Sequence, residues 1–361
     1  MNAVAVLLER PQFTIPQAEK EVLLLAELNR LTDLHRTGCG PYKTLTDVFG
    51  GVQAETLGQL PYLPVSLFKT HHLQSIPDEE VFKLLTSSGT TGQAVSRIVL
   101  DRVTADLQTR ALGAIIGSVV GKARLPMIII DTKNIINDRA QFSARGAGVL
   151  GMMPFGRRHF HALNDEMELD AEGLISFLNE NRESPVLIFG FTFMVWKYFH
   201  QQIVERGLDV DFSQGILIHS GGWKKLEEQR VGNAEFKWAL RESCGIQRIH
   251  NFYGMVEQVG SVFLEGEDGY LYPSNFSDVI IRDPHTWAEM PDGHPGIVEV
   301  LSVLPRSYPG HVLLTEDIGV VHGIAESPSG PCGKRLEVIG RVPRTELRGC
   351  SDTHAYGNVT S

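Results

Sequence analysis

Seven consecutive residues carry no large side chain: Thr86, Ser87, Ser88, Gly89, Thr90, Thr91 and Gly92. They follow a strand-like run, residues 81–85, so a strand feeds directly into a loop whose hydroxyls and amides can converge on phosphate oxygens. A polar turn is the competing reading of any Ser/Thr/Gly run. The loop is not a Walker A sequence, because Gly-x4-Gly-Lys-Ser/Thr is missing. A second segment, Asn251, Phe252, Tyr253, Gly254, Met255, Val256 and Glu257, closes another strand-like run. There an aromatic ring can stack on a base, and a carboxylate can place a hard oxygen on Mg²⁺ bound to phosphates. Taken alone, it reads as a strand-end aromatic beside a solvated acid. Further along stand Thr315-Glu316-Asp317-Ile318-Gly319 and Gly340-Arg341, then Cys350 in a Gly- and polar-rich tail. An isolated Asp-x-Gly is ordinarily a turn, an arginine there a surface charge, and a tail cysteine an incidental thiol.

These residues need a scaffold. Residues 15–36 place Val22, Leu24, Leu25, Leu28 and Leu31 at three-to-four-residue spacings and predict an amphipathic packing helix. The residues from 81 to 101 read as strand, loop, strand. Helices are predicted over 104–120, 172–180, 192–207 and 224–243, alternating with strands over 126–131, 185–191, 215–222 and 248–254. This alternation favours α/β layering, followed by a β-rich, turn-rich end over 269–340. Gly113, Gly117 and Gly121 are predicted to let another helix approach the 104–120 helix closely. Cys244 is expected on the buried end of a helix.

The 361 residues, 42% hydrophobic and 21% charged, suit a soluble globular chain with a sizeable core. The formal charge of −10 argues against general nucleic-acid or anionic-membrane binding and leaves room for a local phosphate site. No stretch approaches the ~18 apolar residues of a membrane span, and the amino terminus lacks a basic leader. The four cysteines, Cys39, Cys244, Cys332 and Cys350, form no CxxC pair, as expected of thiols in a reducing, cytoplasmic compartment. The histidines lack ligand spacing, so zinc is not expected.

The order of hydroxyl-rich loop, aromatic-Gly-x-x-Glu, Asp-x-Gly and Gly-Arg resembles the adenylate-forming superfamily of acyl-CoA synthetases, peptide-synthetase adenylation domains and firefly-type luciferase. Within it, HSGGWKK (219–225), NFYGMVEQVGS (251–261) and the late cysteine after Arg348-Gly349 look most like the LuxE-type acyl-protein synthetases. The resemblance implies an ATP-dependent ligase that activates a carboxylic acid, expected to be a fatty acid, as acyl-AMP and passes it to a thiol. It implies that residues 86–92 grip the ATP phosphates and that Gly221, Gly222 and Tyr253, within Asn251–Gly254, flank the adenine. Glu257 becomes the Mg²⁺ ligand, Asp317 the ribose-binding acid and Arg341 the hinge arginine. Phe189, Gly190 and Phe191 fall where the acyl pocket begins. The expected architecture is an adenylate-forming core over 1–340 and a hinge remnant and tail over 341–361, too short for the superfamily's mobile C-terminal domain. The adenylation lysine is then expected from the core, for example Lys224 or Lys225, unless it is dispensed with. Cys350 is the expected acyl carrier, and an acyl-accepting reductase or carrier protein the expected partner. Two alternatives stand beside this reading: a stand-alone adenylating enzyme that loads a carrier protein or an amine, and a non-catalytic nucleotide-binding scaffold.

Overall fold

The computed structural model describes residues 3–50, 53–87, 95–136, 144–223, 228, 230–326 and 330–342. The chain opens with helices α1 (Ala3–Glu9), α2 (Gln17–Gly38) and α3 (Gly40–Thr46). Helix α2 buries Leu24, Leu28 and Leu31 as its spacing requires, whereas Val22, expected on the same face, is 70% exposed. Strand β1 (Leu63–Pro64) leads into the one-turn helix α4 (Leu67–Thr70). Strands β2 (Lys83–Thr86) and β3 (Arg97–Leu100) then form a separate antiparallel ribbon, the expected strand, loop, strand unit.

Helix α5 (Arg102–Val120) starts where the Asp101 carboxylate accepts the Thr104 N–H at 2.6 Å and stops at Gly121, whose φ of +84° suits a residue without Cβ. A Cβ built at Gly113, Gly117 or Gly121 would meet nothing within 4 Å. Among the described residues no neighbouring helix uses this stripe, contrary to the sequence expectation; three small residues on one face permit close approach but supply no partner.

The α/β half follows as β4 (Leu125–Thr132), α6 (Ala144–Met152), β5 (Gly156–Leu163), α7 (Ala171–Glu180) and β6 (Val186–Phe191). Helices α8 (Thr192–Met194) and α9 (Gln201–Glu205) flank a π turn over Val195–His200; strand β7 (Gly215–Ser220), helix α10 (Asn233–Cys244) and strand β8 (Arg248–Tyr253) complete it. Helix α10 begins nine residues later than its periodicity suggests, because Gly232 adopts extended angles at the N-cap. It ends at Gly245 with Cys244 buried, as expected. Strands β9 (Phe263–Glu265), β10 (Leu271–Tyr272), β11 (Ser277–Arg282), β12 (Gly296–Ser302), β13 (Val312–Ala325) and β14 (Gly333–Arg341) make the β-rich end.

One mixed sheet joins both halves in the order β11-β12-β13-β14-β10-β9-β8-β7-β6-β4-β5, with β1 added parallel to β13. Strands β5, β4, β6, β7 and β8 are parallel, while the strands from β9 onward pair antiparallel. Parallel strands buried on both faces need continuous apolar sequence, and β4, β6 and β7 supply it. In β4, Met127 and Ile129 pack with α1, α2 and α5, whereas Ile128 and Ile130 enter the other layer with Phe177 and Leu240. This two-residue alternation splits the core into the two layers of a doubly wound sheet. A third cluster around Phe68, Ile98, Val300 and Tyr308 joins the β2–β3 ribbon to the β-rich end.

Candidate active site

Parallel strands present their C-terminal ends at one edge, where open α/β sheets hold ligands. The register places Phe191, Ser220 and Phe252 side by side across β6, β7 and β8. Gly221–Gly222 and Tyr253–Gly254 therefore leave the sheet together. Gly221 has φ +83°, and a Cβ there would lie 3.1 Å from the Phe191 ring, whereas one at Gly222 would face open space. Phe191 also packs against Gly148, where a Cβ would come within 2.8 Å of its ring. Phe189 is fully buried beneath it, and Gly190 has room only for hydrogen beside Ile130 and Val195. Of the three acyl-pocket expectations, only Phe191 keeps an accessible surface.

The Tyr253 hydroxyl donates to Asp317 Oδ2 at 2.7 Å, and Arg341 Nε donates to Asp317 Oδ1 at 3.0 Å. Arg341 lies directly opposite Asp317 in the β13–β14 register, so backbone pairing delivers this ion pair. Burial, then the Asp317 charge, pushes the Tyr253 hydroxyl well above its ordinary value, which keeps it a proton donor at neutral pH. Asp317 accepts one bond on each oxygen, and a carboxylate offers about four lone-pair positions. Acceptor capacity on the carboxylate remains for further hydroxyl donors. Asn251 lies two residues before Tyr253 on β8; its amide N–H binds Glu265, and its side-chain oxygen is buried without a hydrogen-bond partner. Phe252 sits on the alternate face, its carbonyl held by the Ser220 hydroxyl at 2.8 Å.

The glycine loop's base is closed by two bonds, Ser87 N–H to Ser96 O at 3.1 Å and Ser96 N–H to Ser87 Oγ at 2.8 Å, continuing the Thr86–Arg97 pair of the ribbon. Glu257, in the short turn after Tyr253, lies near this base and is 6% exposed. Burial pushes its carboxyl up, opposed by Ser96 and by Lys69, and Glu316 reinforces the rise. The turn is anchored from below: Tyr308 donates to the Glu257 carbonyl at 2.9 Å, and the Gln258 amide spans the Val300 and Gly310 carbonyls. Gly310 is required there, since a Cβ would press on the Tyr308 ring and on the Glu257 carbonyl.

The structure thus unites Ser87, Tyr253, Glu257, Asp317 and Arg341 around one edge, although they are spread over more than 250 residues. Ser88, Gly89, Thr90, Thr91, Gly92, Lys224, Lys225 and Cys350 lie outside the described residues. Sequence reasoning missed Ser96, Tyr308 and Lys69. Ser96 follows the loop in a position that hairpin pairing could have indicated, whereas the other two sit in turn-rich sequence with no local signal. Two surface clefts, about 470 Å³ each, lie instead at the N-terminal ends of the strands, around Arg157, Arg182 and Asp211. They contain none of these residues.

The fold is that of adenylate-forming ligases. A 2-hydroxyisobutyryl-CoA ligase solved in an open conformation superposes with a TM-score of 0.67 at 16% identity, over 93% of this chain and 78% of that one. The same enzyme in its postadenylation state superposes at 0.68, also at 16% identity, over 91% and 69%. The chain belongs to the LuxE acyl-protein synthetase family, whose model matches residues 15–356. It is accordingly a ligase of the ATP-dependent, acyl-activating kind. Similar relatives are the long-chain-fatty-acid–luciferin-component ligases of Aliivibrio fischeri, 24% identical over 82% of this chain and 78% of that protein, and of Vibrio harveyi, 25% identical over 83% and 79%. Among the described residues, no helix is long and apolar enough to cross a membrane.

Proposed function

We propose that this chain activates a long-chain fatty acid with ATP and Mg²⁺ as acyl-AMP, carries the acyl group on Cys350, and delivers it to a partner protein such as a reductase. The observation that carries this reading is the Tyr253–Asp317–Arg341 cluster, set beside Glu257 and the closed base of the 86–92 loop. One end offers acceptors for ribose hydroxyls, and the other offers a loop for phosphates with a carboxylate for their cation.

The residues fit Mg²⁺ as a nucleotide-borne ion. Among the described residues, no group of three or more His, Cys, Asp or Glu is placed to hold a metal ion. Mg²⁺ commonly uses one or two carboxylates and completes its shell with phosphate oxygens and water. Glu257 would be that carboxylate, and the ion would neutralise phosphate charge.

Adenylation requires in-line attack of the acid's carboxylate on the α-phosphorus. The chain's own contribution is to hold the ribose through Asp317 and the phosphates through the loop. The adenylate then meets a thiol. Cys39 and Cys244 are buried, and burial pushes both thiols up, Cys244 to about 11; a thiol held protonated is a poor nucleophile. This supports Cys350, although the half-buried Cys332 is the other cysteine to be separated by experiment.

With ATP, Mg²⁺ and a long-chain acid, the protein should catalyse acid-dependent ATP–pyrophosphate exchange and gain one hydroxylamine-sensitive acyl mass that digestion maps to Cys350. Cys350→Ser should keep the exchange and lose the mass, because adenylation precedes thiol attack. A label on Cys332, or exchange that never yields an adduct, would reject self-acylation on Cys350.

A further inference from the structure

Helix α4 enters the site from a direction no motif announces. Strand β1 is hydrogen-bonded along β13, with Leu63 opposite Leu313, Pro64 opposite Leu314, and the Val65 N–H donating to the Leu314 carbonyl at 2.9 Å. The chain then turns into α4, and Phe68 plugs it down: its ring is 1% exposed and meets Tyr308 edge-on at 6.0 Å. Tyr308 is the residue whose hydroxyl holds the Glu257 carbonyl. The residue after Phe68 is therefore positioned by the same pieces that position Glu257 and the end of β13.

That residue is Lys69, 30% exposed, with its ammonium nitrogen 3.9 Å from Glu316 Oε1. Successive side chains leave a strand on opposite faces, so Glu316 and Asp317 address different neighbours. Asp317 takes Tyr253 and Arg341, and Glu316 takes Lys69. Two carboxyl groups, Glu257 and Glu316, thus stand close to Lys69 at the end of the site where the loop base lies, and the charges of Lys69 and Glu316 both act on Glu257. A polyphosphate arriving there would meet like charge unless a cation stood between them. At 3.9 Å the Glu316 contact is longer than a hydrogen bond, so the ammonium keeps donors for another acceptor.

We propose that Lys69 is the core cation that binds the polyphosphate of ATP during adenylation, a role that sequence reasoning sought in Lys224 or Lys225. The inference rests on the adenylating function proposed above. In the step it serves, a carboxylate oxygen of the acid bonds to the α-phosphorus, the Pα–O bond to the β-phosphate breaks, and the electron pair leaves with pyrophosphate. The Lys69 ammonium offsets charge on the phosphate oxygens. Glu316 orients the ammonium.

The test compares wild type, Lys69→Met and Lys69→Arg by acid-dependent ATP–pyrophosphate exchange and by calorimetric affinity for ATP and for AMP. Lys69→Met should lower exchange at least a hundredfold and weaken ATP at least tenfold, while AMP, which lacks the β- and γ-phosphates, binds within twofold of wild type. Lys69→Arg keeps the charge and should recover at least a tenth of the exchange. A merely structural lysine would weaken ATP and AMP together, and that result would overturn the assignment. So would exchange in Lys69→Met within threefold of wild type, or an Arg variant no better than Met. Absence of exchange in the wild type would instead remove the adenylating function, and this inference with it.

Discussion

Glu257 shows how one side chain can be read twice. Its carboxyl is buried and pushed above the ordinary carboxylate value, chiefly by desolvation. A proton and a divalent cation compete for such a group, and acid favours the proton. The Mg²⁺ concentration needed for half-maximal exchange should therefore rise as pH falls toward and through the raised Glu257 value. Glu257→Gln should require more Mg²⁺ than wild type at neutral pH, because an amide attracts the cation less. The variant should also show a flatter dependence of that requirement on pH. A Mg²⁺ titration in Glu257→Gln that matches wild type at every pH would take Glu257 out of the cation site.

At the scale of elements, the sheet's edge works because β6, β7 and β8 end in register and the chain leaves β7 through a left-handed glycine. Gly221 has φ +83° and a Cβ there would lie 3.1 Å from the Phe191 ring, while its neighbour Gly222 has neither constraint. A side chain at such a φ costs roughly 1–2 kcal/mol, before any displacement of the Phe191 ring. Gly221→Ala should lower the thermal midpoint and weaken AMP binding together. Gly222→Ala should leave the midpoint nearly unchanged. Paired melts and AMP titrations distinguish the two, and equal midpoints would show that the turn tolerates a Cβ.

Across the whole molecule, the β-rich end is bound to the helical start by buried histidines. His35 of α2 contacts Ser75 at 2.8 Å and the Pro305 carbonyl at 3.3 Å, and its ring lies 4.8 Å from that of His311. Burial pulls His35 down to about 3 from an ordinary 6.5 and holds His311 well below its usual value. A lowered folded-state value means that the unfolded chain takes up the proton first. The His35 contribution to stability is therefore full above about pH 6.5 and is lost as pH falls below it, by up to ~1.4 kcal/mol per pH unit. Glu257 and Glu299, pushed up by burial, titrate with the opposite sign, so the clean measurement is a difference. His35→Gln should be less stable than wild type at pH 7.5, and the deficit should narrow steadily toward pH 5 in denaturant titrations. A deficit independent of pH would mean that His35 unfolds and folds with the same proton count.

The chain's own order of residues determined the chemistry and much of the scaffold. The hydroxyl-rich loop, the Tyr253–Glu257 segment, Asp317 and Arg341 stood out in the sequence as residue types suited to phosphate, ribose and cation binding, and the structure brings Tyr253, Asp317 and Arg341 into hydrogen-bond contact. Strands β4, β6 and β7 were legible because strands buried on both faces must be continuously apolar. What tertiary structure alone decided is which of these groups meet, and with what. Val22 has helical spacing yet is exposed, and among the described residues the Gly113–Gly117–Gly121 stripe has no helix against it, because periodicity describes a surface without saying what covers it. The Asp317–Arg341 pair follows from a strand register across a hairpin, and Lys69 reaches the site only because β1 adds to β13 and Phe68 docks on Tyr308, some 240 residues away in sequence. Such contacts are set by long-range packing, whose energy depends on shape complementarity between distant segments and leaves no periodic trace in either one.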